Sequence, residues 1–258
     1  MTRTHLRFPC GDDNLAGTLD EASGTSGLLI VSGGNEIRSG AFSGQSQLAA
    51  AIAQAGYPVF RYDRRGIGDS EGENRGFRES AEDILAAAAA FRANAPQMQR
   101  LVAFGNCDAA SALMLSKGNM IDFLLLSNPW TIEEDDGAMA PDAVRSRYAE
   151  KLKNPKELLR LVTGQVNLGK LMRGIKQALG PKAEPTTLAQ DMAEGLEQAS
   201  KPFRILLAEN DRTAQIFDAQ WPGNANGEIR RCKGASHAYV EPHARQWLFD
   251  QILDVLRG

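Results

Sequence analysis

The chain is poor in the residues that build metal centres and disulfide frameworks. Of its 258 residues only three are cysteine and three histidine. Cys10, Cys107 and Cys232 lie far apart and are odd in number, so they make neither a zinc-type pair nor a disulfide framework. His5, His237 and His243 show no His-x-His spacing. No metal and no cofactor are therefore expected, and a reducing cytoplasm is the expected location. Excess charge is also lacking: a formal net charge of −3 gives no support to nucleic-acid or membrane binding as a main role. No apolar run is long enough to span a bilayer, and Met1-Thr-Arg-Thr-His-Leu-Arg7 has no apolar core of the signal-peptide kind.

What is present is an ordinary globular composition, 43% hydrophobic and 24% charged, in a chain long enough for one large domain. Short β-rich runs alternate with helical stretches, which favours a mostly parallel sheet with helices on both faces. Thr4–Phe8 and Leu15–Leu19, parted by the turn formers Gly11-Asp12-Asp13-Asn14, read as an antiparallel hairpin at the sheet edge. Strands are expected at 27–31, 58–62, 101–104, 123–126, 203–207 and 228–232. Helices are expected at 44–55, over the Ala-rich 80–94, after residue 108, and at 247–256. From about Thr131 to Ser200 no strand is evident, only helical segments broken by glycine and proline, which reads as a helical cap inserted over the sheet. Between Arg145 and Lys176 the cap carries nine Lys/Arg against two acids. Such an excess suits solvated helix faces, and it also suits the steering of an anionic small-molecule substrate.

The most informative stretch is Gly105-Asn106-Cys107-Asp108-Ala109, directly after the apolar run Leu101-Val102-Ala103-Phe104. A strand that feeds a helix through a turn with small flanks matches the nucleophile elbow G-x-S-x-G, with Cys for Ser and Ala for the last Gly. A buried cysteine is often only a small hydrophobe, so the reading rests on what else the chain supplies. Asp211 follows the strand 203–207, and His237 lies in the loop after the last strand, giving the order nucleophile, acid, base. Glu209 and Asn210 adjoin Asp211, the acids from Glu133 to Asp136 offer the alternative placement after the preceding strand, and Asp218 lies on an expected helix and competes poorly. An oxyanion site would use the N–H of Asp108 and one from the loop Ser32-Gly33-Gly34-Asn35, with Asn35 as the second donor.

Asp63-Arg-Arg-Gly-Ile-Gly-Asp-Ser70 resembles the D-x-R-G-x-G-x-S element of α/β-hydrolases. With it, four signals fall in that superfamily's order over nearly the whole chain apart from the cap. The resemblance implies an α/β-hydrolase fold: a mostly parallel eight-stranded sheet with helices on both faces, core residues 1–130 and 201–258, and a helical cap at 131–200. More narrowly, Gly33-Gly34 followed by Arg38-Ser39-Gly40, with Gly105-x-Cys107-Asp108-Ala109-Ala110-Ser111, resembles the exosortase A system-associated hydrolase 1 group. Those proteins are encoded with bacterial exopolysaccharide and protein-sorting systems. This resemblance implies a hydrolase without fixing its substrate. Cys107, Ala109 and the missing His before the oxyanion glycine depart from the wider pattern.

The expected function is hydrolysis of an ester or thioester through Cys107, His237 and Asp211 with an acyl-cysteine intermediate. Acyl transfer to a saccharide hydroxyl and a non-catalytic binding role on the same fold are the alternatives.

Overall fold

The computed structural model describes residues 2–118, 120–132, 185–223 and 227–258. Eight strands form one sheet: β1 (Arg3–Cys10), β2 (Asp13–Asp20), β3 (Ser26–Val31), β4 (Val59–Tyr62), β5 (Arg100–Asn106), β6 (Phe123–Ser127), β7 (Phe203–Ala208) and β8 (Gly227–Cys232). Their spatial order is β1-β2-β4-β3-β5-β6-β7-β8. The β1–β2 hairpin joins β4 antiparallel, with Gly17 opposite Tyr62, and every pairing from β4 to β8 is parallel. This is the α/β-hydrolase fold.

Side-chain alternation along the central strands divides the core in two. Leu29 and Val31 of β3 and Leu101 and Ala103 of β5 enter one apolar cluster, while Leu28, Ile30, Val102 and Phe104 enter the other. Helices α2 (Ala81–Asn94), α3 (Asp108–Leu115), α4 (Thr187–Ala199) and α5 (Arg212–Gln220) contribute to the first cluster. Helices α1 (Gly44–Gln54) and α6 (Pro242–Arg257) contribute to the second. Of the expected cap, 133–184 lie outside the described residues. Its final stretch, α4, buries Leu188, Met192 and Leu196 in the same cluster as Leu113 and Met114 of α3. Helix α6 begins five residues before the apolar pattern does, because Pro242 at its first turn is preset for helix while its neighbours there are polar. Among the described residues no helix is long and apolar enough to cross a membrane.

The Asp63–Ser70 motif is a brace. The Asp63 carboxylate accepts from the backbone N–H of Arg38 (2.5 Å) and of Asp69 (3.0 Å) and pairs with the Arg38 guanidinium. Ser70 Oγ donates to Asp63 O (2.7 Å) and accepts from Ala16 N (2.9 Å), tying the loop after β4 to β2. Arg65 is anchored on the buried Asp83 of α2, with Nε 2.6 Å from Oδ1. These bonds fix the loops at the carboxyl edge of the sheet, where the candidate site is built.

Candidate active site

Cys107 sits between β5 and α3 with φ 63° and ψ −131°. Side chains rarely adopt that region, and holding a cysteine there costs of order 1–3 kcal/mol. The surroundings impose it. The Cys107 N–H donates to Ser127 O of β6 (3.0 Å), and its carbonyl accepts from Ala110 N (3.1 Å) and Ser111 N (3.3 Å) as α3 begins. Gly105 is required by the sharpness of the bend, since a Cβ there would lie 2.7 Å from the Ala109 carbonyl carbon and 2.8 Å from Ala110 N. The bend leaves Cys107 partly accessible, whereas Cys10 and Cys232 are buried.

Asp211 lies three residues past the end of β7 as the N-cap of α5, accepting from Thr213 N (3.3 Å) and Ala214 N (3.1 Å). Its Oδ2 is also 2.8 Å from Nδ1 of His237. The carboxylate is nearly buried, and the imidazole is about two-fifths exposed. The bond from Asp211 fixes the ring orientation and leaves Nε2 as the outward nitrogen. The hydrogen bond to Asp211 first, and the interaction with Cys107 second, push the His237 pKa up from its ordinary 6.5 to about 10, against the opposing effect of burial. The structure thus joins His237 to Asp211 by a hydrogen bond and leaves Cys107 close enough to act electrostatically on the same ring, at the carboxyl edge of the sheet.

Three of the competing side chains are engaged elsewhere. Asp218 pairs with Arg231 at 2.7 Å, His5 Nδ1 meets Thr18 Oγ1 at 3.0 Å, and His243 Nε2 meets Lys233 O at 3.0 Å. Glu133 to Asp136 lie outside the described residues. Asp108 opens α3, where its own N–H has no carbonyl four residues back to bond. In the Ser32–Asn35 loop the amide facing the elbow is that of Gly34, whose N–H donates to Asp108 Oδ1 at 2.6 Å. The Asn35 side chain turns away, its Oδ1 accepting from Asn74 Nδ2 at 3.0 Å.

Asn128 is a site-building residue that sequence reasoning misses. It is fully buried just past β6, with a positive φ of 42°. Its Nδ2 donates to Asn106 Oδ1 (3.0 Å) and to the His237 carbonyl (3.1 Å), and its Oδ1 accepts from Ala208 N (2.8 Å). Asn106 Nδ2 also donates to the His237 carbonyl, at 3.2 Å. One amide therefore ties the strand end beside Cys107, the strand end leading to Asp211, and the His237 loop. Nearby, Ser127 Oγ and the buried Tyr239 hydroxyl lie 3.0 Å apart. A polar residue after a strand is commonplace, so only the packed structure distinguishes this one. Asn128→Ala leaves the Ala208 N–H and the Asn106 side chain short of a partner. The expected outcome is a stability loss of about 1–3 kcal/mol in chemical denaturation, with a fall in kcat of about tenfold or more as His237 loosens.

The profile of the serine aminopeptidase, S33 hydrolase family matches residues 26–164, just over half of the chain. Among solved structures, an esterase of Pyrococcus furiosus is 14% identical, with 99% of this chain and 91% of that one covered at a TM-score of 0.66. The α/β hydrolase GrgF from a Penicillium species is 17% identical, with 100% and 98% covered and a TM-score of 0.66. A proline iminopeptidase of Mycobacterium smegmatis is 15% identical, with 98% of each chain covered and a TM-score of 0.62. At such identities the likeness is one of fold. No curated protein matches in sequence.

Proposed function

The chain belongs to the serine aminopeptidase S33 family of hydrolases, and from that premise we propose a carboxylic ester or thioester hydrolase whose nucleophile is the thiol of Cys107. The observation that carries the reading is the 2.8 Å Nδ1–Asp211 bond of His237, in a chain that presents Cys107 at the bend between β5 and α3. The thiolate is the attacking form of a cysteine, and its usual partner is an imidazole that holds and returns the proton.

In this reading the Cys107 sulfur attacks the substrate carbonyl carbon. A C–S bond forms as the carbonyl π pair moves to oxygen, where backbone N–H groups at the elbow receive it. Collapse breaks the bond to the leaving group, which takes a proton from His237 Nε2. Water then attacks the acyl-cysteine thioester, giving its proton to His237, and collapse releases the carboxylic acid and the sulfur. Asp211 holds the ring and stays a carboxylate throughout. Collapse of a thiol adduct expels thiolate before an amine, so activated esters, thioesters and lactones are the expected substrates in preference to peptides.

The basic excess between Arg145 and Lys176 supports an anionic substrate drawn in by steering. The Gly33-Gly34 and Arg38-Ser39-Gly40 pattern, with the Cys107-Asp108 elbow, supports a place in bacterial exopolysaccharide metabolism. In that setting a saccharide hydroxyl in place of water would make the reaction an acyl transfer, and product analysis with and without a sugar acceptor separates the two.

The test is an acid quench of the enzyme during turnover of a short-chain p-nitrophenyl ester, followed by peptide mass analysis. The expected result is the acyl mass on the peptide holding Cys107 and its loss in Cys107→Ala. Steady turnover with no acyl group on that peptide would overturn the proposal.

A further inference from the structure

The side chain of Asp108 is turned away from solvent and into the loop that faces the elbow. Its Oδ1 accepts the Gly34 N–H at 2.6 Å. Gly33 admits this approach, because a Cβ there would sit 2.6 Å from Asp108 Oδ1 and 2.8 Å from Asn106 O. Behind the loop lies Arg64, its side chain 4% exposed. Its Nη2 donates to Gly34 O and is 3.9 Å from Asp108 Oδ2. Its Nη1 has no partner among the described residues.

This arrangement conflicts with acyl chemistry at Cys107. A carbonyl oxygen over the elbow needs the same Gly34 N–H that the carboxylate holds. Two acceptors on one N–H lie only about 3–4 Å apart. As the substrate oxygen gains charge it would face a carboxylate at that range, in a site built for the opposite sign. A guanidinium offers a carboxylate two parallel donors, and Arg64 stands close enough to receive Asp108 after a shift of about 1 Å, given N–H···O bonds of 2.7–3.2 Å.

We propose that Asp108 and Arg64 form a carboxylate switch on the oxyanion loop. At rest Asp108 occupies the Gly34 N–H and holds the Gly33-Gly34 loop against the elbow. With substrate bound, the carboxylate passes to Arg64 and the N–H passes to the substrate oxygen. No covalent bond changes, only the acceptor of one amide. Asp108 and Arg64 are thus positioning residues, and the switch rests on the reading of Cys107 as the nucleophile.

The test is a double-mutant cycle on p-nitrophenyl acetate hydrolysis by the full chain. Arg64→Met removes the receiver for the carboxylate, so kcat falls by about tenfold or more while KM moves less than about threefold, the signature of an interaction made only as charge develops. Asp108→Asn keeps the acceptor for Gly34 without the charge, so it no longer needs a cationic receiver. Arg64→Met then costs less than about threefold in the Asp108→Asn background. If Arg64→Met does not fold, Arg64→Lys keeps the charge, loses the fork and runs the same cycle. Losses that multiply in the double variant, or no loss from the Arg64 substitution alone, would overturn the switch. Cys107→Ala separates the two claims: activity surviving there removes the nucleophile reading and the switch with it. An inactive Cys107→Ala with multiplying losses removes the switch alone.

Discussion

Replacing Cys107 with alanine removes ester hydrolysis by about a thousandfold or more, with little change in stability. The size follows from what the side chain does in the proposed reaction: without a nucleophile no acyl-enzyme forms, and only binding and backbone donors remain to assist water. Stability is spared because the bend is held from outside. The Cys107 N–H is bonded to Ser127 O and its carbonyl to Ala110 and Ser111, and none of these contacts involves sulfur. Cys107→Ser keeps an attacking atom and is expected to stay measurably above the alanine variant. Equal activity in the wild type and the alanine variant, in purified protein, would move the chemistry away from the elbow.

The sheet is legible in the sequence because its central strands are short, apolar and bounded by turn formers. Gly27–Val31 and Leu101–Phe104 are buried on both faces in the structure, as a parallel strand covered by helices must be. The elbow is legible for a related reason. Glycine before and alanine after a reactive residue mark a turn too sharp for larger side chains, and the contact a Cβ at Gly105 would make with Ala109 supplies the steric cause. The pairing of Asp211 with His237 across 26 residues could be expected only from chain order, and in the fold Oδ2 and Nδ1 lie 2.8 Å apart.

Other parts of the site have no local signature. Asn128 gains its importance from meeting Asn106, Ala208 and His237 at once, three partners brought together only by the parallel pairing of β5, β6 and β7. Asn35 follows the two glycines of its loop, and its N–H is the one the sequence suggests as second oxyanion donor. The amide that faces the elbow belongs to Gly34, one residue earlier, because the direction of a loop N–H is set by packing against Asp108. Whether the Asp108 carboxylate leans on the sulfur or on the loop is likewise invisible in the sequence, since the Gly34 N–H it meets and the buried Arg64 beside it come from the loops after β3 and β4.

The central claim is that Cys107 and His237 act as one unit, and the dependence of Cys107 alkylation on His237 tests it most directly. The imidazole keeps its proton well above its ordinary 6.5 and loses it only as the pH rises through about 10. Across neutral pH it is therefore positive, and a positive ring close to the sulfur assists attack by Cys107. Iodoacetamide should accordingly modify Cys107 of the wild type at pH 7 at least about tenfold faster than Cys107 of His237→Ala, with the site identified by peptide mass analysis. Equal rates for the two proteins would contradict the account.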